Sequence, residues 1–109
     1  MSDRALAWLE AHLPGAPPQL LDAMRAAVAE TSVDEPVPDR MAEAALALYR
    51  DAATGSGLRD EALGLLAADA LLTHAFEAQT EDDPGALTAF AQRWGAEGRL
   101  AELANEVVR

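Results

Sequence analysis

The stretch Leu58 to Glu77, Leu-Arg-Asp-Glu-Ala-Leu-Gly-Leu-Leu-Ala-Ala-Asp-Ala-Leu-Leu-Thr-His-Ala-Phe-Glu, sets Asp69 inside a long apolar run at helical spacing. On a helix, Leu58, Ala62, Leu65, Leu66, Asp69, Leu72, Thr73 and Phe76 share one side, and Leu63, Ala67, Ala70, Leu71 and His74 share the adjacent side. Apolar character therefore covers well over half of the circumference, and a helix of that kind is normally surrounded by other elements. Either the chain's own helices enclose the rod, or one face is left for a second subunit.

Alanine content bears on this choice. The 109 residues include 26 alanines but only two Phe, two Trp and one Tyr. Small side chains let helices approach closely yet bury little apolar area each, so a monomer has a thin core to set against its backbone entropy. Pairing with another subunit would add burial. The expected interface is the helix face of Leu65, Leu66, Asp69, Leu72, Thr73 and Phe76. Asp69 is tolerated there if hydrogen-bonded, with Thr73 at i+4 or an arginine from another helix as partner.

Proline, glycine and capping residues divide the rest into helices. Ser2 or Asp3 can cap a short first helix carrying Leu6, Trp8, Leu9 and Leu13, which Pro14-Gly15-Ala-Pro17-Pro18 stops. The second runs from Pro18 to about Glu30, with Leu20, Leu21, Met24, Ala27 and Val28 on one face. Thr31 to Asp39 reads as a connector. A third helix, from about Asp39 to Ala53, repeats Met41, Ala45, Leu48 and Ala52, and Thr54-Gly-Ser-Gly57 ends it. Ser56 can cap the long helix, which is expected from Leu58 to Gln79, and Asp60 and Glu61 suit its first turn. Asp83 and Pro84 then start a fifth helix with Leu87, Phe90, Ala91 and Trp94 on its apolar side. Gly95 and Gly98 bracket a break before a last helix, Arg99 to Val108. No segment alternates as a strand does. The expected fold is a compact all-α bundle of five or six helices in one domain, residues 1–109.

Charge removes several classes of partner. The net charge of −11 and the single dispersal of all eight arginines leave no cationic face for nucleic acid or an anionic membrane surface. Met1-Ser-Asp-Arg begins no secretory signal or membrane span, so a cytoplasmic location is the default expectation. With no cysteine there is no thiol nucleophile, disulfide or Cys-ligated zinc.

Candidate chemistry is sparse. His12 and His74 stand in neither a Glu-x-x-His nor a His-x-x-x-His arrangement, so they read as rim side chains rather than metal ligands. Ser2, Ser32 and Ser56 fit helix edges better than a nucleophile elbow. Gly55-Ser-Gly57 lacks the lysine and hydroxyl residue of a phosphate loop. Trp8 and Trp94 sit on apolar helix faces and read as core, with an interface anchor as the other reading. No catalytic residue, cofactor or metal is expected.

Within the long helix, Ala67-Ala-Asp-Ala-Leu-Leu-Thr-His-Ala-Phe-Glu77 resembles a helix of the trans-isoprenyl diphosphate synthases, written as an alanine-rich lead, Gly-Asp-Ala-Leu-Leu and an Ala-Phe pair. Ala68 stands in place of the motif's glycine, and the likeness covers about residues 58–77. Such a resemblance implies isoprenoid-synthase-like central helices in an all-α fold and a role for this segment in a homodimer interface. The family's activity needs two Asp-Asp-x-x-Asp motifs that hold magnesium against a diphosphate. Asp82-Asp83 is the only adjacent aspartate pair; Ala86 stands where the third aspartate belongs, and Pro84 makes Asp83 a cap.

The expectation for function is thus a non-catalytic interaction or accessory subunit, pairing with itself as a homodimer or with a larger helical partner, an isoprenyl diphosphate synthase being the partner the resemblance implies. The competing expectation is a small-molecule binder or enzyme that places an isoprenoid-like tail between helices, with Asp69 or His74 as polar contacts.

Overall fold

The computed structural model describes residues 3–55, 58–95 and 98–108, with the backbone alone at 58–60, 107 and 108. Six α-helices follow one another: α1 Arg4–His12, α2 Pro18–Ala29, α3 Val37–Thr54, α4 Leu58–Asp82, α5 Leu87–Trp94 and α6 Arg99–Val108. A short 3-10 turn, Pro84–Ala86, precedes α5. Among the described residues there is no strand, and no helix is long and apolar enough to cross a membrane. The all-α bundle is therefore the fold of the chain.

Local signals account for most helix boundaries. The Asp3 carboxylate accepts hydrogen bonds from the amides of Ala5 and Leu6 at 3.0 and 3.1 Å, which caps α1. Pro18 occupies the first turn of α2, where its missing N–H costs nothing. Asp83 caps the segment after α4 by accepting from the Gly85 amide at 3.0 Å, and the turn that follows is 3-10 before it relaxes into α5. A Cβ on Gly98 would collide with the carbonyls of Gln92 and Arg93, so glycine is required where α5 turns toward α6. The expected caps Ser2 and Ser56 lie outside the described residues.

Besides the fifth helix, which begins at Leu87 after the 3-10 turn and not at Pro84, two boundaries differ from expectation. Helix α3 starts at Val37 rather than Asp39, because Pro38 fits a first turn as well as it fits a connector. Helix α4 runs on to Asp82, and the Asp83 carbonyl just beyond it accepts both the Ala86 amide at 3.0 Å and the Gln79 side-chain amide at 3.1 Å.

Helices α3 and α4 pack against each other as the central antiparallel pair, with α1 and α2 on one flank and α5 and α6 on the other. Their contact is built from small residues: Ala42, Ala44 and Ala45 of α3 are buried, as are Ala67, Ala68, Ala75 and Ala78 of α4. Larger groups, Met41, Leu71, Met24, Leu9 and Phe90, fill the space around this close approach. Phe76 meets Phe90 edge to face, with ring centroids 5.1 Å apart, and so fixes α5 on α4.

Gly64 lies inside α4, and a Cβ built there meets no atom within 4 Å. Glycine within a helix is less stable than alanine by about 1 kcal/mol, so Gly64→Ala should raise stability by about that amount in urea unfolding. Destabilisation by the same change would show that the position is needed bare.

Candidate interaction surface

The core side of α4 is the stripe Ala67, Ala68, Leu71, Ala75 and Ala78. Asp69 lies two residues from both Ala67 and Leu71, some 200° around the helix at about 100° per residue. It is consequently exposed at the rim of the helix. The Tyr49 hydroxyl of α3 donates to the Asp69 carboxylate, in place of the partners considered from the sequence, Thr73 or an arginine. Burial and this hydrogen bond push the tyrosine pKa up to about 12, so Tyr49 stays a neutral donor across ordinary pH.

The six residues of the expected interface divide into two groups. Leu65, Leu66, Asp69 and Thr73 face solvent, whereas Leu72 and Phe76 are partly covered by the chain itself. Leu66 is 60% exposed and Leu65 44%, high values for large apolar side chains two turns into the longest helix. Beside them runs an apolar groove of about 400 Å³. Tyr49, Ala52 and Ala53 of α3 form one wall; Leu100, Leu103 and Ala104 of α6 form the other; Leu65 closes it. The long helix is thus enclosed by its own chain along its alanine stripe and left bare at its two adjacent leucines.

Two ion pairs border this groove, and Asp69 adds a carboxylate that has no cationic partner among the described residues. Arg50 pairs with Glu106 at 3.3 Å and Arg99 with Glu102 at 3.6 Å, both pairs between exposed side chains next to the groove. The net charge of −11 is therefore not concentrated here. The contribution of α6 was not anticipated as part of a surface. Its signal was present in Leu100, Leu103 and Ala104 at helical spacing, but a stripe of that kind does not say how much of it the domain covers.

Polar side chains converge at two other places. Arg40 is only 2% exposed. Its guanidinium donates to both carboxylate oxygens of Asp3 at 2.7 and 2.9 Å, to the Val28 carbonyl at 3.1 Å and, through Nε, to the Thr31 hydroxyl at 2.9 Å. One side chain thereby joins the cap of α1 to the C-terminal end of α2, where the helix dipole favours a cation. The Arg40 hydrogen bond holds the Asp3 carboxyl near 2, well below the usual carboxylate range.

At the far end of α1, His12 stacks on Trp8 with ring centroids 3.8 Å apart. Glu81 accepts from the Trp8 indole N–H at 2.9 Å and lies 3.0 Å from His12 Nε2, which ties α1 to the end of α4. Trp8 is thus half-buried, packed against the edge of the core and tied to Glu81, while Trp94 is buried and donates to Asp39 at 2.7 Å. His74 bonds Glu77 at 2.7 Å on the same helix. Among the described residues, no group of three or more His, Asp or Glu is placed to hold a metal ion.

The α1 tie has a pH signature. The Trp8 carbonyl first, and the Glu81 carboxylate with it, raise the His12 pKa above 6.5, and Trp8 and His12 lower that of Glu81 below 4.5. A raised histidine pKa contributes stability that is complete below 6.5 and is lost as pH rises through the folded-state value. A lowered glutamate pKa contributes stability that is present above 4.5 and is lost as pH falls. Both contributions coexist between those limits. Amide exchange in the last turn of α1 should be slowest near pH 5 to 6, about the middle of that window, after correction for intrinsic rates, and faster near pH 8. A flat profile would mean that the pair does not hold α1.

Comparison with family models, with curated proteins and with solved structures finds no match to this chain.

Proposed function

We propose that this protein is a non-catalytic interaction subunit that pairs with a second copy of itself through Leu65, Leu66 and the α3/α6 groove. The observation that carries the reading is the exposure of two adjacent leucines beside an apolar groove on the same surface. A projecting side chain and a receiving groove side by side are what a two-fold interface needs, since each copy must offer both. The Arg50–Glu106 and Arg99–Glu102 pairs at its edge offset part of the charge that two acidic copies bring together, with Asp69 as the remaining carboxylate on this face.

The resemblance of Ala67–Glu77 to a dimerising helix of the isoprenyl diphosphate synthases supports the same use of α4, with contact centred on Leu65 and Leu66. A catalytic synthase as a hetero-partner would use the same face. The groove offers a small ligand few polar groups to fix its orientation, because the Tyr49 hydroxyl is already engaged by Asp69. Light scattering on the purified chain, wild type against Leu66→Glu, tests the proposal. A dimer that the substitution converts to monomer supports it; one mass for both proteins rejects it.

A further inference from the structure

A second cavity lies at the opposite end of the α3/α4 pair, between the start of α1, the connector after α2 and the last turn of α4. Its volume is about 510 Å³. Trp8, Val33, Pro36 and Val37 supply an apolar surface, and Val33 is 71% exposed, the highest value among the large apolar side chains of the described residues. Trp8 is held rigid, stacked on His12 and bonded through its indole N–H to Glu81, so this wall is preformed.

Four acids surround that surface: Asp34 and Glu35 from the connector, Glu81 and Asp82 from α4. Two cations also line the cavity. The charge of Arg40 is buried and already balanced by Asp3, which leaves Arg4 as the solvent-facing cation among the lining residues. Asp34, Glu35 and Asp82 form no ion pair among the described residues. Apolar surface and excess negative charge together select an occupant with both characters reversed or matched: an apolar side chain for Val33 and the tryptophan, and a cation for the acids.

We infer that this cleft is a docking site for a basic segment of a partner protein, in which arginine or lysine alternates with an apolar residue. The aliphatic stem lies along Val33 and Pro36, and the charged end reaches Glu35 and Asp82, since both oxygens of Glu81 are engaged by Trp8 and His12. This site is independent of the self-pairing surface. Val37 and Ala53 are 16 residues apart on α3, about 24 Å at 1.5 Å per residue, so a pair joined at one end leaves both clefts open at the other.

The test uses the full chain labelled with nitrogen-15 and a capped tetrapeptide of alternating leucine and arginine. Trp8 and Trp94 each give one indole N–H signal, and Trp94→Phe assigns them. The expected result is a saturable shift of the Trp8 signal, with the Trp94 signal unmoved. Alternating leucine and glutamate should give no shift, and alternating glycine and arginine a weaker one. Glu35→Gln with Asp82→Asn, both at exposed positions, should weaken binding on the order of tenfold. Non-saturating shifts spread over the acidic surface, or an affinity unchanged in the double variant, would overturn the assignment.

Discussion

Replacing Arg40 by methionine should lower stability by about 2 to 4 kcal/mol, because removing one partner of a buried pair leaves the other uncompensated. The lower part of that range allows for Asp3, which is only partly buried and can regain water. Three structural consequences meet at one position: the α1 cap loses its anchor, the Val28 carbonyl at the end of α2 loses a donor, and the Thr31 hydroxyl loses a partner. For a domain near 100 residues the melting temperature should fall by roughly 10 to 20 °C. Asp3→Asn alone should cost less, since it keeps a capping oxygen for Ala5 and Leu6. The double variant should be less destabilised than the two single effects added together, as expected for residues in direct contact. Urea unfolding of the four proteins measures this coupling. Strict additivity with an Arg40→Met effect below about 0.5 kcal/mol, the range of ordinary surface changes, would show that the clasp contributes nothing.

Leu66→Glu should have the second large effect, on association rather than on folding. At 60% exposure Leu66 contributes little to the core of its own chain, so its replacement should leave the unfolding transition of the monomer nearly unchanged. In a two-fold pair the same residue is used twice. Fully burying a leucine is worth about 1.5 to 3 kcal/mol, and a glutamate in its place also brings an unpaired carboxylate into an apolar contact. A loss of more than about 100-fold in dimer affinity is the expected result. Thr73→Glu, further along α4 and away from the groove, should change affinity far less. Equal effects of Leu66→Glu and Thr73→Glu would point to general charge repulsion instead of a defined contact.

Helix positions were legible in the sequence because their signals are local. Asp3, Pro18, Asp83 and the Gly95 to Gly98 segment act within a few residues of themselves, and the helices begin and end beside them. The start of α3 was displaced because Pro38 suits both a connector and a first helical turn. Which face of α4 turns inward was harder to read, since four alanines and only one leucine, Leu71, carry the inner stripe while Leu65 and Leu66 lie on the outer one. Hydropathy ranks leucine above alanine, yet the close approach of α3 demands the smaller residue. Arg40 with Asp3, Tyr49 with Asp69, and Trp8 with Glu81 are separated by 37, 20 and 73 residues. Nothing local marks such partners, because only the packed helices bring them together. The same holds for the groove, whose walls come from helices nearly fifty residues apart, about half the chain.

Sedimentation equilibrium of the unmodified chain over a concentration series tests most directly whether the bare leucines of α4 are a contact between two copies. With association costs set against a modest apolar contact, the dissociation constant should fall between about 1 μM and 1 mM. The weight-average mass should then climb from the 11.5 kDa of one chain toward twice that value as concentration increases. A mass fixed at 11.5 kDa up to the top of that range would contradict self-pairing.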